Sequence, residues 1–531
     1  MTSHTGRYLT ARAPRVTEGW RLERLTPPSR LYGANGVRTG PDGRIYVAQV
    51  SGSQISAIDV ETGAIESISP MGGDIVAPDD LAFDSDGTLY ATEITEGRVS
   101  ARARNGSTRV VCGDIPVANP ITFYQGRLFA GECRMGGRIL ELDLNGGPPR
   151  VVLANVPMPN AFDVGPDGKL YFPVMGTNEI WRVNLEGGAP EKVADGLGVP
   201  DSVKFDAKGN IVSTQVHNGQ VLRIDPRTGD RTVIAELTPG LDNVTFVRGR
   251  TFVSNMTGYI TEILEAGKTR DLVADGFNWP LGLAIGDDGV LYVADGAFSY
   301  TLRPGEQRQI AGMLFTPGYP GYSRGVARAG PREYVVTTAN GEVAVFYPEK
   351  QKSAVLAKGF DQLYGVGIAP KGTVIVAEQG TGRVLSVRSN NVDVLATGLD
   401  KPTDVAVVSD DTCYISEAGG GRVLKLRGSQ REIVLEGLRR PQGIAVRGEI
   451  LYVVDADLKE VIEYDLARRL RRTLAWDLPV GAPPGVTPKF IGPIGTFSGP
   501  MGSFAAIAVD KRGTLYLSGD AEGSVLALHP T

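Results

Sequence analysis

The chain has 531 residues, 42% hydrophobic and 22% charged, with a formal net charge of −5. That is enough material for more than one domain and for sizeable cores, while the mild acidity offers no electrostatic footprint for nucleic acid or an anionic membrane. The 69 glycines and 34 prolines favour many tight turns over long helices, and no apolar run is long enough to span a bilayer.

The first residues, MTSHTGRYLTARAPRV, lack the apolar stretch of a secretory signal. Residues 1–17 are therefore expected to be a tail, and the protein cytoplasmic. From there one pattern recurs: a polar or small residue, a short apolar strand, an Asp/Gly-rich turn and a second apolar strand. Clear copies are PDDLAFDSDGTLYATE (78–93), PLGLAIGDDGVLYVAD (280–295) and PTDVAVVSDDTCYISE (402–417). Each reads as a β-hairpin. A third strand such as GRVLKL (421–426) and a fourth such as REIVLEGL (431–438) follow. Four short antiparallel strands in about 40 residues describe one blade of a β-propeller.

The first position of each inner strand falls, in order, at Asn35, Asp79, Asn119, Asn160, Asp201, Asp242, Leu281, Arg324, Tyr364, Thr403, Gln442 and Ala505. Twelve blades exceed the usual size of about four to eight for one closed propeller. The expected fold is all-β: two tandem six-bladed β-propellers over residues 18–268 and 269–531, each closed by its own N-terminal strand. WRLERL (20–25) would close the first ring and TRDLVADG (269–276) the second, with the boundary near Leu264–Lys268. The last spacing is long because of a Gly/Pro-rich insertion at 476–503, including GAPPGVTPKFIGPIGTFSGPMG (481–502). A long structureless insertion reads either as an ordered loop packed on the second ring or as a lid or subunit contact in a homo-oligomer.

In a propeller the starts of the inner strands and the ends of their hairpin partners emerge at one mouth. All six first-ring starts are Asn or Asp, whereas the second ring shows no such bias, so the architecture alone does not demand them. Converging oxygen ligands on a rigid ring suit a hard divalent cation, Ca²⁺ first and Mg²⁺, Mn²⁺ or Zn²⁺ as alternatives. Crowded carboxylates need such a cation or protons to relieve their repulsion. The same residues could instead cap strand starts and turns. The hairpin ends Gln49, Glu93, Glu132, Gln215 and Asn255 form a second layer, of which Glu93, Glu132, Gln215 and Asn255 are read with Asp79 and Asp242 as substrate-binding. His217, in TQVHNG, lies near this mouth, while His4 and His529 sit in the tails. His217 is a candidate general acid or base. Cys112, Cys133 and Cys413 form no zinc or disulfide pattern and read as structural. No GxSxG, HExxH, P-loop or CxxC motif occurs.

The segments PNAFDVGPDGKLYF (159–172) and PDSVKFDAKGNIV (200–212) resemble the fourth- and fifth-blade motifs of the SMP-30/gluconolactonase/paraoxonase-like superfamily. The resemblance covers about residues 18–268, and the second half is similar to NHL/SMP-30-type repeats. It implies a divalent cation held by Asn119, Asn160 and Asp201, with Asp201 also a candidate base. The family's blade-one Glu is Asn35 here and its E-G-P-x-W sequence is missing. Asp79 or Glu93 would then supply the lost charge. The implied activity is metal-dependent hydrolysis of a lactone or related ester, a small-molecule substrate. Alternatives are a metal-dependent lyase of the virginiamycin B lyase type, with His217 catalytic, or a non-catalytic NHL-like binding propeller.

Overall fold

In the computed structural model, residues 7–8, 12–274, 276–388 and 391–531 are described; His4 lies outside them. The chain is all-β, with helical turns of three residues each at Met175–Thr177, Glu265–Gly267 and Pro348–Lys350. Among the described residues twelve antiparallel sheets form, eleven of four strands and one of five. The architecture is consistent with a β-propeller. No helix among the described residues is long and apolar enough to cross a membrane.

Sequence pattern and burial explain why each sheet has this form. The second strands, such as Leu89–Glu93 and Ile211–Gln215, are buried at every residue. Outermost strands such as Arg231–Glu236 are largely exposed. Inner strands are sandwiched between neighbouring sheets and must be apolar on both faces, whereas charged outer strands protect the sheet edge. Successive sheets interlock through shared clusters: Tyr90 and Val99 of sheet two pack with Ile121 and Leu128 of sheet three.

The chain divides into two compact units. The N-terminal unit comprises residues 31–275 together with 487–495, and the C-terminal unit comprises 1–30, 276–486 and 496–531. Within the N-terminal unit the first and sixth sheets meet. Thr39 and Thr245 share a hydroxyl hydrogen bond of 2.8 Å, Ser254 Oγ donates to Asn35 O at 2.8 Å, and Val37 packs with Val247 and Phe252. Within the C-terminal unit Phe277, ahead of the first sheet there, donates its amide to Gly523 O of the last sheet at 3.2 Å.

The expected strand exchange does not occur. Thr269–Val273 is the outer strand of the sixth sheet, with Ile260 opposite Val273 and Ile263 opposite Thr269. The tight turn Glu265–Gly267 joins it directly to its partner strand, so it cannot reach the next sheet. Trp20–Arg24 is instead the outer strand of the last sheet, with Leu22 opposite Leu528 and Arg24 opposite Leu526. Its half-buried Trp20 and Leu22 pack on the Leu515, Leu526 and Leu528 cluster. Each sheet thus keeps its own hairpins, and the last, which ends at its third strand, borrows its fourth from the N-terminal segment. The boundary moves accordingly from Leu264–Lys268 to residue 275.

The described residues of the N-terminal segment do not form a tail. Arg15–Val16 adds a fifth strand beside Leu470–Trp476. The Arg7 guanidinium donates to the carbonyl oxygens of Ala521, Phe277, Asn278 and Asp520 at 2.7–3.3 Å. His529 lies in the strand Ser524–Pro530, its Nε2 3.2 Å from Glu23.

The Leu25 amide donates to Val525 O and the Thr531 amide to Gly19 O, so the odd-numbered residues of the borrowed strand face the ladder and proline at position 23, opposite Ala527, would remove a hydrogen bond. Glu23→Pro is expected to cost about 2–3 kcal/mol and to speed amide exchange in residues 524–530 while leaving 260–273 protected. Faster exchange confined to 260–273 would restore the original assignment. Hydrogen-exchange mass spectrometry reads both peptides.

Candidate functional site

A repeated hydrogen bond sets the position-one residues of the N-terminal unit. A Ser or Thr one residue before the end of a sheet's second strand donates its hydroxyl to the carbonyl of the next sheet's first residue. Thr92 donates to Asn119 O at 2.9 Å, Thr214 to Asp242 O, and Ser254 to Asn35 O at 2.8 Å. The backbone at these starts is therefore fixed, and the side chains converge rather than pointing outward. Gly36 allows the closest approach: its amide donates to Asp79 O at 2.7 Å, and a Cβ there would lie 2.5 Å from that oxygen. Such a distance excludes any side chain.

Asn160 Nδ2 donates to Asp201 Oδ2 at 3.0 Å and lies 3.1 Å from Met175 Sδ. Asn35 Nδ2 donates to Asp242 Oδ2 at 3.3 Å, while Asn35 Oδ1 accepts the Val50 amide. Asp79, Asp201 and Asp242 are only 5–7% exposed. Burial, and then repulsion from neighbouring acids, raises all three carboxyl groups: Asp79, beside Asp80, to about 8, and Asp201 and Asp242, which feel Asp79 and Asp80, well above the usual range. Asn119 hydrogen-bonds the Cys133 thiol, which is pushed up first by burial and then by the charges of Asp201, Asp79 and Asp242. The structure thus gathers Asn35, Asp79, Asn119, Asn160, Asp201 and Asp242 around one polar centre.

The hairpin ends do something different. Glu93 is fully buried and accepts the Val76 amide, both Arg98 donors and Ser100 Oγ. Glu132 accepts from Arg134 and Arg138. Gln215 Oε1 accepts the Gly198 amide while its Nε2 donates to Ser213 and Thr214 O. Asn255 donates to Thr238 O and accepts from Thr257. Gln49 accepts the Tyr32 amide. The C-terminal unit repeats the arrangement: Asp295, Glu378 and Glu417 each accept a backbone amide 17 residues upstream. Glu93, Gln215 and Asn255 brace the incoming loop and Glu132 holds the two arginines that follow it, so these residues, expected to bind substrate, have their polar atoms engaged within the chain. Because both units carry the brace, it belongs to the repeat.

His217 is exposed, its amide donates to Gly198 O, and its ring makes no hydrogen bond among the described residues. Four participants escaped the sequence reading. Cys133 and Met175 each follow a second strand directly, a position that returns to the mouth. Asp80 Oδ2 accepts the Ile121 amide, and Asp80 Oδ1 accepts Asn243 Nδ2 at 3.3 Å. Asp80 and Asn243 occupy the second inner-strand position and tie sheets two, three and six beneath the mouth. Part of the insertion also belongs to this unit. Thr487–Gly495 passes the loops carrying the site, with a Cβ at Gly492 falling 3.8 Å from Thr95 and one at Gly495 falling 2.9 Å from Val117.

Among the described residues no three His, Cys, Asp or Glu side chains form a ready metal-ligand cluster. The oxygen set here is mixed, with Asn amides between carboxylates. Its chemistry suits a hard cation, which takes oxygen ligands and offsets the cost of burying charged carboxylates.

Comparison with known proteins bears on the same stretch. No curated protein matches the chain in sequence. Solved structures that match include a streptogramin B lyase, at 19% identity and TM-score 0.39 over 52% of this chain and 94% of that one. Another is a gluconolactonase from Xanthomonas campestris, at 16% identity and TM-score 0.38 over 48% and 95%. Residues 114–251, which carry Asn119, Asn160, Asp201 and Asp242, match the SMP-30/Gluconolactonase/LRE-like region family.

Proposed function

We propose that the twelve sheets form two closed six-bladed propellers and that the first is a metal-dependent hydrolase opening a lactone or related ester. The observation that carries this reading is the convergence of three buried aspartates with three asparagines, of which Asn119, Asn160, Asp201 and Asp242 lie in the stretch that matches the gluconolactonase-type family. Asn119, Asn160, Asp201 and Asn35 would hold the divalent cation, Ca²⁺ first, and Asp79 would supply the charge that a blade-one Glu provides in that family. When bound, the cation supplies Lewis-acid polarisation of the substrate carbonyl.

The remaining chemistry belongs to the chain. Asp201, its Oδ2 held by Asn160 Nδ2, takes a proton from the attacking water. The new C–O bond forms at the carbonyl carbon, the ring C–O bond breaks, and the leaving oxygen accepts the proton to give a hydroxy acid. Asp242, held by Asn35, and Asp79 face the substrate. Burial at 5–7% exposure limits competing water at these acids.

Asp201→Asn removes the base while preserving the Asn160 contact, and kcat is expected to fall about 10²–10⁴-fold in a pH-stat assay over γ- and δ-lactones and aryl esters with each candidate cation. His217→Ala is expected to keep its rate. Full activity in Asp201→Asn would end the mechanism, and a matching loss in His217→Ala would move the base to the loop.

The acids also set a pH dependence. Their folded values lie above the unfolded ones, so the stability they contribute is present below about 4 and is lost as pH rises towards about 8. The chelated protein should therefore lose Tm across that window. Millimolar CaCl₂ should raise Tm more at pH 8 than at pH 5, because at low pH protons compete for the same oxygens. An equal cation response at both values, read by differential scanning fluorimetry, would contradict the site.

A further inference from the structure

Arg324 occupies the same repeat position in the second half as Asp79 in the first. It is 0% exposed and heads the group of largest fully buried side chains. Its guanidinium stacks over Tyr364, with 4.5 Å from Cζ to the ring centroid, and Nη1 donates to Leu363 O at 3.1 Å. Nε and Nη2 have no hydrogen-bond partner among the described residues. Burying a charge with two unused donors is costly, and cation–π contact with Tyr364 offsets only part of that cost.

The two donors form one edge of the guanidinium fork, the edge that grips a carboxylate side-on. This chain uses that edge repeatedly: Nε and Nη2 of Arg98 hold Glu93, those of Arg127 hold Glu141, those of Arg250 hold Glu262 and those of Arg24 hold Glu522. Arg324 presents the same edge, and no carboxylate of the described residues lies within ion-pair distance of it. The acids of the surrounding strands are engaged elsewhere. Asp295 accepts the amides of Asn278 and Trp279, and Asp404 those of Val405 and Ile444.

The second part of the insertion covers this position. Phe504 packs edge-on against Tyr364 at 5.9 Å between centroids. A Cβ at Gly502 would lie 2.4 Å from Tyr364 Oη, so the backbone rests on that hydroxyl. Gln442 Oε1 accepts the Ala505 amide at 2.7 Å, which anchors the end of the segment. Leu281 and Ala505 are fully buried at the flanking first positions. One guanidinium enclosed by aromatic and aliphatic groups balances a single negative charge and leaves a dianion uncompensated.

We propose that the C-terminal unit binds a small monocarboxylate on the Nε/Nη2 edge of Arg324, beneath the segment Ser498–Phe504. The site is separate from the hydrolase reading and does not depend on it. Full-length protein should bind acetate, propionate or benzoate with one-to-one stoichiometry in isothermal titration calorimetry at constant ionic strength, and each should raise Tm in saturable fashion. Inorganic phosphate and chloride should not. Arg324→Lys, which keeps the charge but loses the fork, should weaken binding at least tenfold, and Arg324→Gln should abolish it; Asp201→Asn with chelator should leave it unchanged. No saturable response to any of the three acids, a response to phosphate alone, or undiminished binding in Arg324→Lys would overturn the proposal. If the Arg324 variants fail to fold, a crystal of the native protein soaked in bromoacetate decides: bromine density against the fork supports the site, and its absence there refutes it.

Discussion

Three carboxyl groups from sheets two, five and six meet where little water reaches them, and the rest of the N-terminal unit is organised around that encounter. Neither burial nor proximity favours their charged forms. The fold therefore has to hold Asp79, Asp201 and Asp242 together against repulsion whenever they ionise. Backbone pins two of their strand starts: the Gly36 amide donates to Asp79 O and the Thr214 hydroxyl to Asp242 O, the latter a bond that recurs along the repeat. Below the mouth, Asp80 joins three sheets through Ile121 and Asn243. Asn35 and Asn160 add amide donors to two of the acids without adding charge.

This division of labour separates scaffold from site. A residue whose polar atoms are all engaged with its own chain has little left for a ligand. Glu93 and Glu132 are as buried as the mouth aspartates, yet arginines and backbone amides surround them. Buried acids are thus of two kinds here, and partner count distinguishes them. The same criterion applied to cations isolates Arg324, whose fork, unlike those of Arg98 and Arg250, is fully buried and lacks a carboxylate among its described neighbours.

Much of this was legible in the sequence. Hairpins such as 78–93 and 402–417 form as their alternation requires, because the pattern is local and each turn carries Asp and Gly. The first-position asparagines and aspartates could be found by aligning repeats, and they do converge. Strand donation at the ends was not legible. WRLERL and TRDLVADG are both amphipathic and of similar length, and what separates them is the tight turn at Glu265–Gly267 and the Leu528 strand in need of a partner. The braces misled for a related reason: an acid at a strand end looks the same in sequence whether it faces a ligand or an amide 17 residues away. Only its recurrence in both halves, at Asp295, Glu378 and Glu417, marks it as part of the frame.

The insertion shows how one sequence feature can serve two surroundings. Thr487–Gly495 is grouped with the N-terminal unit and passes Thr95 and Val117, whereas the residues from 496 onward settle on Tyr364 and Gln442 of the C-terminal unit. Glycine makes both passages feasible, since a side chain at Gly495 would press on Val117 and one at Gly502 on Tyr364. A segment of such composition gains little from its own secondary structure. Its conformation therefore follows from the surfaces it lies on, and changes at either end should be felt first at the position-one residues nearby.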